Sequence, residues 1–137
     1  MAALTGITAV RPTASTQMSP PVLYGGTLSA GVPVYLDTAD NEHKAADANA
    51  SATTAKVVGI TITPGVDGGH GYIAKSGSII LVGTTMAVGE TYYAGPTAGE
   101  IIPDGDLTTG DIVTRLGTAS TTTQLDLDIR ATGITHP

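Results

Sequence analysis

The stretch Thr97–Gly133, TAGEIIPDGDLTTGDIVTRLGTASTTTQLDLDIRATG, decides the fold class of this chain. Turn-forming residues bracket its apolar runs, which predicts strands at Glu100–Ile102, Asp111–Gly117 and Thr123–Arg130. In the last run, leucine and isoleucine alternate with glutamine, aspartate and arginine, a period of two that requires one buried and one solvent-facing side. The segment therefore predicts a β-sheet, and it carries no catalytic motif.

The composition indicates a single domain with a thin core. The chain has 137 residues, which fits one domain, and it contains no Phe and no Trp. Its five tyrosines are the only large flat side chains, the kind that usually dominates the energetics of a core. We therefore expect an aliphatic core that gains stability when the chain associates with a partner or with copies of itself.

Charge and cysteine content limit the classes of function. The net charge is −6 and the six Lys and Arg form no patch, which disfavours nucleic-acid binding. The absence of Cys excludes disulfides, thiolate metal sites and Cys nucleophiles. We expect no signal peptide and no membrane span, because no apolar run approaches the roughly 18 residues that a span needs.

The N-terminal residues differ in composition from the rest of the chain. Residues 1–22 are rich in Thr, Ala, Ser and Pro with little alternation, which predicts an extended arm rather than a core element. The arm is either disordered in the isolated protein or ordered by lying along a partner. Residues 23–137 are predicted to form one all-β domain, a small β-barrel or β-sandwich of tulip-like shape.

The first half of that domain repeats the pattern of apolar runs and turns. A short helical turn is predicted at Ala52–Lys56 with Ser51 as its N-cap, and Gly77 predicts a hairpin or a bulge between two strands. The predicted strands of this half are Val32–Leu36, Val57–Thr63, Tyr72–Lys75 and Ser78–Val82.

Glycines recur at a fixed separation in the two halves. Gly25, Gly31 and Gly59 correspond to Gly83, Gly89 and Gly117 at a separation of 58 (83−25, 89−31, 117−59). Near the ends, IAKSG at 73–77 corresponds to IRATG at 129–133, at a separation of 56. These matches predict an internal duplication of residues 25–77 and 83–133, and a chance match in a Gly- and Thr-rich chain is the alternative.

No group of residues forms a recognisable catalytic or metal site. The histidines His43, His70 and His136 lack metal-ligand spacing. A set of Ser76 or Ser78 with His70 and Asp67 lacks the nucleophile-elbow motif of a hydrolase.

Two acidic pairs have ligand atoms that suit calcium, but Asx-turn capping explains them with fewer assumptions. These pairs are Asp37 with Asp40 and Asp104 with Asp106. We expect a protein that is not an enzyme and has no cofactor and no metal.

Four segments together resemble the capsid cement, or head decoration, proteins of tailed double-stranded DNA bacteriophages. The family pattern has an AxxVVGI strand, a GxxY strand, a long segment and a closing segment, and the matching segments here are Ala55–Ile60, Gly89–Tyr93, Ala98–Ala119 and Leu125–Gly133. The resemblance covers about residues 25–133, and it rests on turn glycines and apolar strand residues.

The resemblance implies a structural protein of the virion, made in the host cytoplasm, that binds the outer surface of the mature capsid. Such proteins are commonly homotrimers that bridge neighbouring subunits of the major capsid protein and brace the shell. We expect the arm to supply the contacts, so that deletion of residues 1–20 abolishes capsid binding and leaves the fold intact. The predicted capsid-binding residues are Leu4, Ile7, Val10, Arg11, Pro12 and Tyr24.

The competing hypothesis is a module that faces the host surface, either a fibre or spike domain or a carbohydrate-binding β-sandwich. Sugar-binding sites usually present aromatic platforms, and with no Trp only Tyr72, Tyr92 and Tyr93 are available. Because Tyr92 and Tyr93 are adjacent in a predicted strand, one of the two is expected in the core.

Overall fold

The computed structural model describes residues 3–137, and the fold is nearly all β. Within these residues the chain forms twelve strands, one short α-helix and a single 3₁₀ turn at Asp104–Asp106. The elements are β1 (Ala9–Pro12), β2 (Gln17–Met18), β3 (Val22–Leu23), β4 (Pro33–Asp37), β5 (Glu42–Ala45), α1 (Ala52–Ala55), β6 (Gly59–Thr61), β7 (His70–Gly71), β8 (Ile73–Val82), β9 (Thr91–Ala94), β10 (Ile101–Pro103), β11 (Ile112–Ala119) and β12 (Gln124–Thr135).

The main sheet is curled into a half-barrel, which confirms the predicted all-β class. Its strand order is β10-β9-β11-β12-β8-β6-β4-β5, and β1 and β2 lie along β8 beside this path. All of these pairings are antiparallel. Strands β3 and β7 form a separate two-stranded sheet.

The alternation in the last strand determines which of its sides is buried. Leu125 and Leu127 are buried in the core, whereas Asp126 and Asp128 are exposed, as the period of two predicts. The neighbouring strand β11 pairs with β12 from Ala119 opposite Leu125 onward. The predicted strands of the segment that decides the fold are therefore confirmed, with ends that differ by a few residues.

The structure of the first half differs from the predicted one at β8 and at β5. Residues 73–82 form one continuous strand and no hairpin, whereas the register shift opposite β2 and the positive φ of 83° at Gly77 agree with the predicted alternative of a bulge. The N-terminal part of β8 pairs with β6, and the C-terminal part pairs with β12. Strand β5 was not predicted, since its sequence Glu-His-Lys-Ala has no apolar alternation.

The predicted helical turn is present. Ser51 caps α1 by accepting a hydrogen bond from the Thr54 N–H at 3.1 Å, and the Thr54 hydroxyl accepts one from the Ser51 N–H at 3.0 Å. This reciprocal pair is a capping box, which satisfies two backbone donors at the helix start. Among the described residues, no helix has the length and apolar character needed to cross a bilayer.

The core consists of one large cluster and one small cluster of buried side chains. The large cluster is mainly aliphatic and includes Leu81, Leu116 and Leu125 from the central strands. The small cluster contains Tyr24, Leu28, Val34 and Ile73.

Strand pairings repeat between the two halves at the separation that the glycines show. Val34 pairs with Ala45 and Gly59, and Tyr92 pairs with Pro103 and Gly117, each residue 58 positions later (92−34, 103−45, 117−59). The glycine pair 31 and 89 has the same positive φ of 83°. This agreement supports the duplication, which stays a prediction about the origin of the chain.

Candidate functional site

The candidate site is the N-terminal segment 3–22, which we call the arm. The arm is extended, but strand pairing fastens it to the domain along β8, from Ala9 opposite Val82 to Pro12 opposite Ile79. Upstream, the Leu4 N–H donates to the Ile101 carbonyl at 2.9 Å, and the side chains of Leu4 and Ile7 pack against the large core cluster. The arm therefore connects β10 in one half of the sheet with β8 at its centre.

A hydroxyl-rich turn secures the middle of the arm. The Ser78 carbonyl accepts hydrogen bonds from the hydroxyls of Thr13 and Thr16, and the Ser78 N–H donates to the Ser15 hydroxyl at 3.0 Å. A side chain at Gly77 would collide with the Ser15 carbonyl, so the turn approaches β8 at its one glycine that has a positive φ. The Thr and Ser content that predicts an arm is thus used for local hydrogen bonds.

Four of the six predicted capsid-binding residues retain exposed or half-buried side chains. Arg11 and Pro12 are exposed on β1, and Leu4 and Ile7 are half-buried against the core. The outer edge of β1 has no partner strand among the described residues. Arg11 and Pro12 are therefore available to a partner, while Leu4 and Ile7 mainly anchor the arm.

The exposure expected for Val10 and Tyr24 is wrong. Val10 is 7% exposed and belongs to the large core cluster, so the arm does contain a core element. Tyr24 is 0% exposed, and its hydroxyl donates to the Thr63 carbonyl at 2.8 Å. Neither side chain can contact a capsid without rearrangement of the fold.

The environment of Tyr24 explains its burial. Gly65 and Gly71 pack directly against its ring, where any larger residue would collide with it. The Gly-rich loop 64–71 therefore covers a buried aromatic ring, and the density of glycine in that loop was the available signal. Burial raises the pKa of Tyr24, so the hydroxyl stays protonated and can donate to the Thr63 carbonyl.

Several further residues of the arm are exposed but are not among the predicted capsid-binding residues. Met18 on β2 is 50% exposed, and Gln17, Pro20 and Pro21 are also exposed. Proline has no backbone N–H to donate to a neighbouring strand. It is tolerated at a sheet edge, because no strand pairs with that side. The arm thus presents an outer surface, which we call the arm edge, formed by Arg11, Pro12, Gln17, Met18, Pro20 and Pro21.

The sketched Ser/His/Asp set is not connected by hydrogen bonds in the part of the chain that the structure describes. The Ser78 hydroxyl donates to Asp126 at 2.6 Å and not to a histidine. His70 and Asp67 are exposed in or beside the Gly-rich loop. The three groups therefore have no arrangement in which a base activates the serine.

The first acidic pair caps a turn, as predicted. Asp37 accepts from the Ala39 N–H at 3.0 Å, and Asp40 accepts from the Glu42 N–H at 3.1 Å. Both carboxylates also bind the Lys44 ammonium, at 2.8 and 2.9 Å. No group of three or more His, Asp or Glu within residues 3–137 is arranged to hold a metal ion.

The tyrosines are divided between core and surface. Tyr92 is buried, and its hydroxyl accepts the Ala87 N–H at 3.0 Å, whereas Tyr93 is half-buried on the other side of β9. One of the adjacent pair is therefore in the core, as the alternation predicts. Tyr72 is 43% exposed, which leaves it as the most accessible ring among the three candidates for sugar stacking.

No family model matches this sequence, and no curated protein matches it either. The arm edge is therefore a candidate binding surface only because of its geometry and exposure.

Proposed function

We propose that this protein is a structural component of a phage virion that binds the outer surface of the mature capsid and cements neighbouring major capsid subunits. The observation that carries the proposal is the arm edge, an open strand edge fixed along β8 at the centre of the sheet. An open edge offers unpaired backbone groups to an extended segment of a partner, and this mode of binding needs no catalytic chemistry.

The anchoring of the arm makes its edge a rigid docking element. Because β1 and the Thr13–Thr16 turn are already hydrogen-bonded to β8, binding would not require the whole arm to become ordered. Binding surfaces that are already ordered lose less conformational entropy on association. The exposed Met18 and the two exposed prolines supply apolar area beside the edge.

Stable attachment would come from several modest contacts made at once. A homotrimer on the outer surface would present three arm edges to different capsid subunits, and simultaneous engagement raises the overall affinity without new contacts. The net charge of −6 is consistent with an outer location and with no direct contact with DNA.

Co-sedimentation with mature phage heads stripped of their own decoration tests the proposal. We expect saturable binding at a fixed ratio to capsid subunits, and greater resistance of the decorated heads to heat. The double variant Arg11→Glu/Met18→Asp should bind at least about tenfold more weakly, because it places carboxylates on the arm edge. Absence of binding by the folded wild-type protein would contradict the proposal.

A matched control separates the arm edge from general effects of charge. Arg130→Glu/Ile134→Asp replaces an exposed arginine and an exposed apolar residue on β12, with the same change in net charge. This control should bind heads as the wild type does. Deletion of residues 1–20 is a poorer test than the sequence suggested, since it also removes Val10 from the core and β1 and β2 from β8.

The exposed ring of Tyr72 supports the second candidate, a module that binds carbohydrate on the host surface. An aromatic ring beside a glycine-rich loop offers a flat surface for a sugar, although a single ring is a small platform. A glycan array separates the two candidates: a reproducible sugar ligand that is lost in Tyr72→Ala would favour the host-surface module.

A further inference from the structure

An apolar groove on the first half of the sheet meets the arm edge at Pro20 and Pro21, and it is bordered by lysines that the arm edge lacks. The groove consists of two adjoining cavities of about 460 and 370 Å³, which share Leu36 and Val58 as lining residues. Helix α1 borders one end of the groove, and Pro20–Val22 borders the other. Lys56 lines the first cavity and Lys75 the second, so we call this surface the lysine groove.

The two lysines give the groove a positive charge on a protein that is acidic as a whole. Three of the six Lys and Arg form ion pairs, namely Lys44, Arg115 and Arg130. Lys56 and Lys75 are exposed and form no ion pair within residues 3–137. Two of the three cations that lack an ion pair therefore border the same apolar groove.

Alternation along the strands keeps nearby carboxylates away from the groove. Leu36 pairs with His43, and both line the groove, whereas the next pair, Asp37 and Glu42, projects to the opposite face of the sheet. Burial, together with the charge of nearby Lys75, lowers the pKa of His43. The charge of the groove at neutral pH thus comes from the lysines.

The other end of the sheet carries the opposite charge. The 3₁₀ turn Asp104–Asp106 follows β10, whereas the groove lies on β4 and β5 at the far end of the strand order. The Asp104 N–H donates to the Glu90 carboxylate at 3.2 Å, which brings another acid to the turn. Neither aspartate of the turn forms an ion pair with a described residue.

We propose that the lysine groove of one copy receives the Asp104–Leu107 turn of a second copy of this chain. The turn is narrow at exposed Gly105 and has the half-buried Leu107 at its end, so it combines carboxylates with an apolar side chain. Lys56 and Lys75 would pair with Asp104 and Asp106, and Leu107 would contact the apolar floor at Leu36 and Val58. Complementary charges of this kind orient two partners and exclude other arrangements.

This contact is heterologous, because the groove and the turn are two different surfaces of the same chain. Such head-to-tail contacts form a closed ring where the rotation closes, and otherwise an open chain of copies. The interface does not depend on binding to phage heads. Failure of the head-binding experiment would leave this proposal standing, and the reverse also holds.

Sedimentation velocity of the purified protein over a range of concentrations tests the proposal. The wild type should associate, and its association should weaken at high salt, because exposed charges are screened. Lys56→Glu/Lys75→Glu should weaken association at least about tenfold, and Asp104→Lys/Asp106→Lys should do the same through its reversed turn. Arg130→Glu/Gln124→Glu adds negative charge on β12, outside both surfaces, and should associate nearly as the wild type does. Circular dichroism checks that each variant is folded.

Mixing the two charge-reversed variants gives the sharpest result. Each variant alone has a mismatched groove and turn, but in the mixture every groove finds a turn of opposite charge. We expect association to return in the mixture. A wild type that stays monomeric at high concentration, variants that associate like the β12 control, or a mixture that fails to associate would each overturn the proposal. A different result would be that the wild type does not self-associate and that Lys56→Glu/Lys75→Glu loses head binding. That result would place the capsid subunit in the groove and would also overturn the proposal.

Discussion

The two halves of the sheet share one set of strand pairings but have different side chains at the equivalent positions. Val34 and Tyr92 occupy the same place in the ladder, and both are buried, yet one belongs to the small core cluster and the other to the large one. The equivalent glycines 59 and 117 both lie where a side chain would collide with a neighbouring strand. Backbone geometry and glycine positions therefore maintain the register in both halves, while the packing around these positions differs.

The surfaces of the two halves differ as well. The first half carries α1 and the lysine groove, and the second half carries the acidic turn at Asp104–Asp106. Two halves with similar strand order thus present two different surfaces. Substitutions in the two halves can show how similar the halves are in stability.

Truncation of the equivalent core residues should have the largest effect. Tyr92→Ala should cost about 3–5 kcal/mol of unfolding free energy, because it empties a large buried volume and leaves the Ala87 N–H without its acceptor. Val34→Ala should cost about 2 kcal/mol, because it removes less buried apolar area. Urea denaturation measures the change in unfolding free energy for both variants. Equal changes would show that the two core clusters tolerate the loss of a buried side chain equally well.

Adding a methyl group at the repeated glycines should have the second-largest effect on stability. Gly117→Ala should cost about 2–3 kcal/mol, because the added carbon overlaps the Asp126 carbonyl, which belongs to the backbone and cannot turn away. Gly59→Ala should cost about 1 kcal/mol, since part of its contact is the end of the flexible Ile73 side chain. Gly105→Ala, where the space is open, is the control and should change stability by less than about 0.5 kcal/mol.

Loss of the helix cap tests an element that only the first half contains. Ser51→Ala should destabilise the protein by about 1 kcal/mol, because it removes the oxygen that accepts the Thr54 N–H. The Thr114 hydroxyl donates to the Ala55 carbonyl at the end of α1, so the loss should also reach the second half. Hydrogen exchange of β11 amides measures whether the destabilisation of α1 reaches this strand. Thr53→Ala, on the exposed side of α1, is the matched control. Unchanged exchange in β11 would show that the helix is not coupled to it.

The smallest effect should be the pH dependence at the β4–β5 turn. The hydrogen bond with Lys44 lowers the pKa of Asp37 and also that of Asp40. Because the folded pKa values lie below the unfolded ones, this stabilisation is present above the unfolded pKa and is lost as the pH falls through the folded values. Lys44→Met should therefore reduce the acid dependence of stability, and NMR titration of the two carboxyl groups should show both pKa values rising. Unchanged carboxyl pKa values in the variant would contradict the role of Lys44.

Much of the fold was predictable, because its signals are local. Alternation identified β12, turn residues identified the ends of β11, and Ser51 identified the start of α1. Long-range pairing determined the features that were missed. The continuous strand through Gly77 depends on a positive φ that a sequence shows only as a glycine, and strand β5 depends on its pairing with β4 rather than on its own composition.

The candidate site was less predictable, because exposure depends on tertiary contacts. Composition identified the arm, but it could not show that Val10 enters the core or that the Gly-rich loop covers Tyr24. The lysine groove joins residues from the arm, from β4 and from α1, which are distant in sequence. No local pattern marks such a surface.

The most direct test of the account is photo-crosslinking on reconstituted heads. A photoreactive amino acid replaces Met18 on the arm edge in one sample and Ile134 on β12 in another, both of which are exposed in the fold. We predict that the probe at residue 18 crosslinks to the major capsid subunit and that the probe at residue 134 does so far less. Equal crosslinking from both positions, or crosslinking from residue 134 alone, would contradict the assignment of the arm edge as the capsid-binding surface.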